Sequence, residues 1–135
     1  MDLIKEASLF LEKRNELAVS SVTESGYPRI CILIKLKAEG CKTIYFATGT
    51  SSKKVAHYKS NPKAGVTYYD NHDSVTLIGN MTIVTDKKLK DALWDDWMAK
   101  HFPNGGKEDP EYCVIKFTTQ EATIYIKEQF ETVRL

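Results

Sequence analysis

The stretch IYFATGTSSKKVAHYKSNP, residues 44–62, joins a β-rich run to a hydroxyl-rich loop and then to a helix with adjacent lysines. A helix N-terminus leaves backbone N–H groups unpaired and carries partial positive charge. Thr48, Gly49, Thr50, Ser51 and Ser52, beside Lys53 and Lys54, therefore make a candidate anion cradle suited to a phosphate. A plainer reading stands beside it, in which Ser51 or Ser52 caps a surface helix whose lysines are solvated. The glycine spacing of a Walker loop or a dinucleotide fingerprint is absent, which argues against an ATPase or GTPase.

The other polar groups do not assemble into a catalytic set. His57, His72 and His101 fall in three kinds of segment with no Ser/His/Asp or Cys/His spacing, and His57 is expected on a helix surface. Asp95 and Asp96 are neighbours on an expected helix, point in different directions and read as a solvated face. Tyr68 and Tyr69 alternate across a strand, so one should join the core and the other face a groove or partner. No catalytic residue is assigned.

These groups need a scaffold, and 135 residues with 42% apolar content suffice for one domain over residues 1–135 without metal or disulfide support. The net charge of +1 and the dispersed lysines offer no footprint for nucleic acid. Apolar runs such as ICILI at residues 30–34 fall far short of the roughly 20 residues that span a bilayer. With no secretory h-region, the expectation is a cytoplasmic protein. Cys31, Cys41 and Cys113 are odd in number and widely spaced, which suggests neither a disulfide framework nor a zinc site. Cys31 and Cys113 lie in strand-like runs and read as small core hydrophobes, while Cys41 lies in an expected turn.

Periodicity predicts a helix over residues 3–11 capped by Asp2, a second over 52–59, and a third from Asp86 to just before Pro103, with Leu89, Ala92, Leu93, Trp97 and Met98 on one face. Strand patterns cover residues 17–22, 29–37, 43–48, 64–69, 75–84, 113–117 and 122–126. Gly79, inside a long strand, signals a bulge, a bend or close approach of another backbone or ligand. Many short antiparallel strands in a small domain favour a closed or nearly closed barrel, because closure hides the edges.

The order of these pieces resembles the pyridoxamine 5′-phosphate oxidase-like superfamily of FMN-binding split barrels, especially its general stress protein branch. The likeness covers nearly the whole chain and is carried by SGYPRICILI, IYFATGTSSKKVAHYKSNPKAGVTYYD, VTLIGNMTIVTD and the helix around Trp94 leading to HFPNGGKEDP. The second segment is the most specific: a strand ending in Thr, then Ser with a basic residue and Lys, then Asn-Pro before the next strand. The resemblance implies a mainly β fold, a split barrel of about six antiparallel strands with two to three peripheral helices. It also implies FMN at a homodimer interface, the phosphate held after the third strand and the ring against strand backbone. The implied cofactor-binding residues are Arg29, Ile30, Cys31, Ala47, Thr48, Ser52, Lys53 and Lys54, with Thr48, Ser52, Lys53 and Lys54 at the phosphate.

Departures from the family pattern bear on chemistry. Lys53 stands where the family often has Arg, and an ammonium grips phosphate as a point charge rather than a fork. The family's strand Arg, often three residues after the turn proline, is replaced by Cys31, and Arg29 directly follows Pro28. Arg29 either serves a similar site from the same strand face or is a solvated edge residue. The C-terminal FETVRL lacks the Arg-x-His type element of the true oxidases, so oxidation of pyridoxamine phosphate is not expected, and Tyr125 stands near where the branch often has Trp. The leading expectation is a flavin-dependent reductase or oxidase acting on a small molecule. The alternatives are a non-catalytic protein that binds or senses flavin or haem, and a barrel without cofactor that serves in protein interaction.

Overall fold

In β1 (Glu16–Val22) the side chains of Leu17, Val19 and Ser21 are buried while their neighbours are more exposed, the period-two pattern of a strand with one face on a core. The alternation recurs in β2 (Pro28–Glu39), β4 (Lys63–Asp70) and β5 (Asp73–Ile83). In β3 (Thr43–Gly49) and the first part of β6 (Tyr112–Ile126) both faces are covered. The computed structural model, which describes residues 2–135, pairs these strands antiparallel in the order β3-β2-β1-β4-β5-β6. β6 then pairs with β3, from Thr43 opposite Thr118 to Gly49 opposite Tyr112, and closes a six-stranded barrel. A seventh strand, β7 (Gln129–Arg134), lies outside the barrel on β6.

Three α-helices lie around the barrel. Asp2 caps α1 (Leu3–Glu12) by accepting the Lys5 N–H, and the helix buries Leu3, Ala7 and Leu11. Tyr68, buried as one member of the expected alternating pair, donates its hydroxyl to the Ala7 carbonyl at 3.0 Å, while Tyr69 faces out. α2 (Lys53–Ser60) packs on β1 and β5 through Val55 and Tyr58. Cys41 sits in the β2–β3 turn yet is buried in the core, and Cys113 is buried as expected.

Two expected elements differ. The third helix is not continuous: α3 (Lys87–Leu93) ends at Trp94, whose backbone is extended, and a 3-10 helix (Asp96–His101) follows. Trp94 leaves the helical path to pack edge-on against Tyr112, with ring centroids 5.1 Å apart, and against Phe102 at 6.1 Å. With Met98 and Val114 these rings form a second apolar cluster that covers the outer face of β3. The two expected strands near the C-terminus are one, β6, because the polar run between them is a bulge rather than a turn. There Gly79 lies against the β6 backbone, and a Cβ on it would stand 2.0 Å from the Thr118 carbonyl oxygen. The signal at Gly79 is thus a close approach between strands.

Candidate functional site

The β3–α2 corner is built by two strands and a helix. Thr48 lies in register with Cys113 of β6, and both face the end of the barrel beneath α2. Lys54, in the first turn of α2, donates from Nζ to the Thr48 hydroxyl at 2.9 Å. Neither Lys53 nor Lys54 makes an ion pair among the described residues. Burial pushes the Cys113 thiol up and the Glu111 carboxylate adds to this, while the Lys90, Lys59 and Lys54 ammoniums pull it the other way.

Ser52 occupies the capping position of α2 but makes no side-chain cap bond, and its hydroxyl oxygen is buried without a hydrogen-bond partner. The plain capping reading is therefore not realised at Ser52. It is not realised at Ser51 either, because Ser51 is committed elsewhere: its N–H and its hydroxyl both donate to Glu111 Oε2, at 3.3 and 2.8 Å. Thr50 donates its hydroxyl to the Pro110 carbonyl at 2.7 Å and its N–H to the Glu111 carbonyl at 3.0 Å. Within the cradle expected from sequence, Thr50 and Ser51 are thus bonded to Pro110 and Glu111, while Thr48, Ser52 and Lys54 have no carboxylate partner. Those three fit a phosphate ester: a part-buried ammonium without a carboxylate partner and a buried hydroxyl without a bond both gain from an incoming oxyanion.

A cleft of about 400 Å³ adjoins the corner on the outer barrel face, lined by Ile32 and Ile34 of β2, Ala47, Thr48 and Gly49 of β3, and a wall of Trp97, Met98, His101, Phe102 and Glu111. Its volume and its apolar lining with few polar groups suit a small aromatic ligand. The alternation of β2 explains the floor: Ile30, Ile32 and Ile34 point outward, whereas Cys31 and Leu33 turn toward the core. Ala47 is therefore in the cleft, Ile30 is on its outward strand face, and Cys31 packs on the core from the opposite face.

Arg29 shares the face of Cys31 and comes near Tyr58 of α2. Burial pushes the Tyr58 hydroxyl up, the Cys31 charge adds to this, and the Arg29 guanidinium opposes it. Lys53 lines a different hollow, of about 470 Å³, with Thr23, Glu24, Ser25, Ala56 and His57. His57 is half-buried rather than a free surface residue, and its Nδ1 is 2.9 Å from the hydroxyl of the buried Ser21. The structure thus sets Thr48, Lys54 and the buried Ser52 hydroxyl at one corner with Ala47 in the adjoining cleft, while Lys53 lines the hollow beside His57 and Arg29 and Cys31 lie near Tyr58, one helical turn beyond Lys54. Sequence reasoning missed Trp97, His101 and Glu111 as site residues. HFPNGGKEDP immediately precedes Glu111, but no spacing rule ties it to a loop 60 residues away in the chain.

A closed split barrel with an anion-ready corner beside an apolar cleft defines the class of protein. The model of the family described as pyridoxamine 5′-phosphate oxidase like matches residues 33–133, and the chain belongs to that family. Among solved structures it is similar to a protein related to general stress protein 26 from Clostridium acetobutylicum, 27% identical, with a TM-score of 0.87 over 98% of this chain and 94% of that one. Two more distant structures share the fold. A heme binding protein from Mycobacterium smegmatis is 14% identical, with a TM-score of 0.79 over 99% of this chain and 58% of that one. A pyridoxamine 5′-phosphate oxidase-related, FMN binding protein from Nostoc punctiforme is 16% identical, with a TM-score of 0.70 over 98% of this chain and 92% of that one. No curated protein matches the chain significantly. Among the described residues no helix is long and apolar enough to cross a membrane.

Proposed function

We propose that this protein binds FMN, with the phosphate at Thr48, Ser52 and Lys54 and the ring in the adjoining cleft. The observation that carries the reading is Lys54, a part-buried ammonium whose partner is a hydroxyl and not a carboxylate. The FMN binding protein from Nostoc punctiforme, which has the same fold, supports it. The flavin supplies the redox chemistry when bound, and the chain supplies position and exclusion of water. The proposed role is a cytoplasmic flavin-dependent oxidoreductase acting on a small molecule, distinct from a true pyridoxamine phosphate oxidase. The proposed assembly is a homodimer that covers the outward stripe of Tyr27, Ile30 and Ile32, which are 72%, 70% and 61% exposed.

A second reading has one observation behind it. His101 lines the cleft, and an imidazole there would hold the iron of a haem, the group named for the structurally similar Mycobacterium smegmatis protein.

Visible absorption after incubation with each cofactor tells the two apart, by flavin bands or a Soret band. For the phosphate, Lys54→Ala is expected to weaken FMN by roughly tenfold or more and riboflavin little, since only FMN presents a charge to that ammonium. Equal weakening of both ligands would place Lys54 away from the phosphate. Bleaching of the flavin by NAD(P)H, followed by reoxidation with an acceptor, is the expected sign of catalysis; stable bands would mark a binder.

A further inference from the structure

The carboxylate of Glu111 is held against the loop that forms this corner. Asp109, buried, receives the N–H groups of Asn104 and Glu111, each at 2.9 Å, and so fixes the entry to β6. From there Glu111 Oε2 takes both donors of Ser51, and Gly49 makes the room for it: a Cβ at position 49 would lie 3.0 Å from that oxygen. The side chain is exposed on its outer side, and its carboxylate makes no ion pair among the described residues. It lines the same cleft as Thr48 and Gly49. A negative group thus borders the cleft, hydrogen-bonded to the residue next to Ser52.

We propose that Glu111 sets how far the site prefers phosphorylated over unphosphorylated flavin. A phosphate approaching Ser52 and Lys54 is repelled by this carboxylate and competes with it for the Ser51 donors, whereas riboflavin meets neither cost. Glu111 is in this sense a specificity-determining residue that holds FMN affinity down. The proposal rests on the reading of the corner as the FMN phosphate site.

Titration of FMN and of riboflavin into the wild type, Glu111→Gln and Lys54→Ala, followed by quenching of flavin fluorescence, tests it. Gln keeps an acceptor oxygen for Ser51 and removes the charge, so FMN is expected to bind about tenfold more tightly, or ~1.4 kcal/mol, with riboflavin nearly unchanged. If Glu111→Gln leaves FMN unchanged or weaker while Lys54→Ala weakens it selectively, the role of Glu111 is overturned and the phosphate corner stands. If Lys54→Ala moves FMN and riboflavin alike, the corner is not the phosphate site and both readings go. Thermal melting of each variant checks folding. Should the Gln variant fold poorly, Glu111→Asp, which withdraws the carboxylate from Ser51, is expected to tighten FMN in the same direction, and a failure to do so overturns the proposal equally.

Discussion

Lys54 and Ser52 show at the scale of single residues what a site demands of a fold. A part-buried ammonium whose partner is a hydroxyl, and a buried hydroxyl with no partner, are polar groups that an oxyanion at the proposed phosphate site would satisfy. The tyrosines pose the opposite case, with their polar ends satisfied. Tyr112 donates to the Lys90 carbonyl at 2.8 Å, and burial first, then the Asp91 charge, pushes its hydroxyl up to about 12. A folded-state value above the unfolded one, roughly 10, favours the protonated form in the fold. The corresponding stability is fully present below about pH 10 and is lost as pH rises toward about 12. Tyr58 and Tyr68, raised further by burial, should ionise only on unfolding. Alkaline titration followed by phenolate absorbance is expected to show a slow, cooperative phase from Tyr58, Tyr68 and Tyr112 coincident with loss of the β signal; fast titration of these three near the ordinary tyrosine value would contradict their burial.

At the scale of elements, the register of β5 against β6 rests on one glycine. The shift between Ile78 and Gly79 brings Gly79 onto the Thr118 backbone, where no side chain fits. Gly79→Ala must displace main chain and is expected to cost about 2 kcal/mol or more, read as a lower denaturant midpoint at unchanged slope. Gly65→Ala on the neighbouring strand is the control, because its Cβ would meet a side-chain oxygen, the Ser20 hydroxyl, at 3.1 Å rather than main chain at 2.0 Å. A Gly79 variant as stable as the Gly65 variant would count against a rigid bulge. The break after α3 follows a similar logic, since packing Trp94 between Phe102 and Tyr112 outweighs one more helical turn and delivers Trp97 and His101 to the cleft wall.

At the scale of the whole molecule, the outward stripe on β2 joins site and assembly. Ile30, Ile32 and Ile34 cannot all be inside a barrel whose interior already takes Leu33 and Cys31 from the same strand. Their exposure and the nearness of the cleft are the grounds for tying the proposed homodimer to the proposed flavin site. Ile30→Asp, placed on the stripe outside the cleft lining, is expected to give a monomer by light scattering and to weaken FMN by tenfold or so. A dimer that survives this change, or a monomer that binds FMN as well as the wild type, would separate the two.

The chain itself determined what depends on near neighbours. Asp2 as a cap, the strands before and after α2, the split of Tyr68 from Tyr69 and the glycine signal at Gly79 follow from local periodicity and sterics, which reach only a few residues. So did the position of the corner, because a strand, a loop and a helix start meet there in consecutive residues. Other features depend on contacts between distant segments. The union of two expected strands into β6 needed β3 and β5 as partners on either side. The bonding of Thr50 and Ser51 needed Pro110 and Glu111, and the hollow that Lys53 lines needed the β1–β2 turn beside His57. Which of several adjacent hydroxyls stays unbonded is decided by where the rest of the barrel places the Glu111 carboxylate, and the pairing of β6 with β3 that closes the barrel is what brought Glu111 to Ser51.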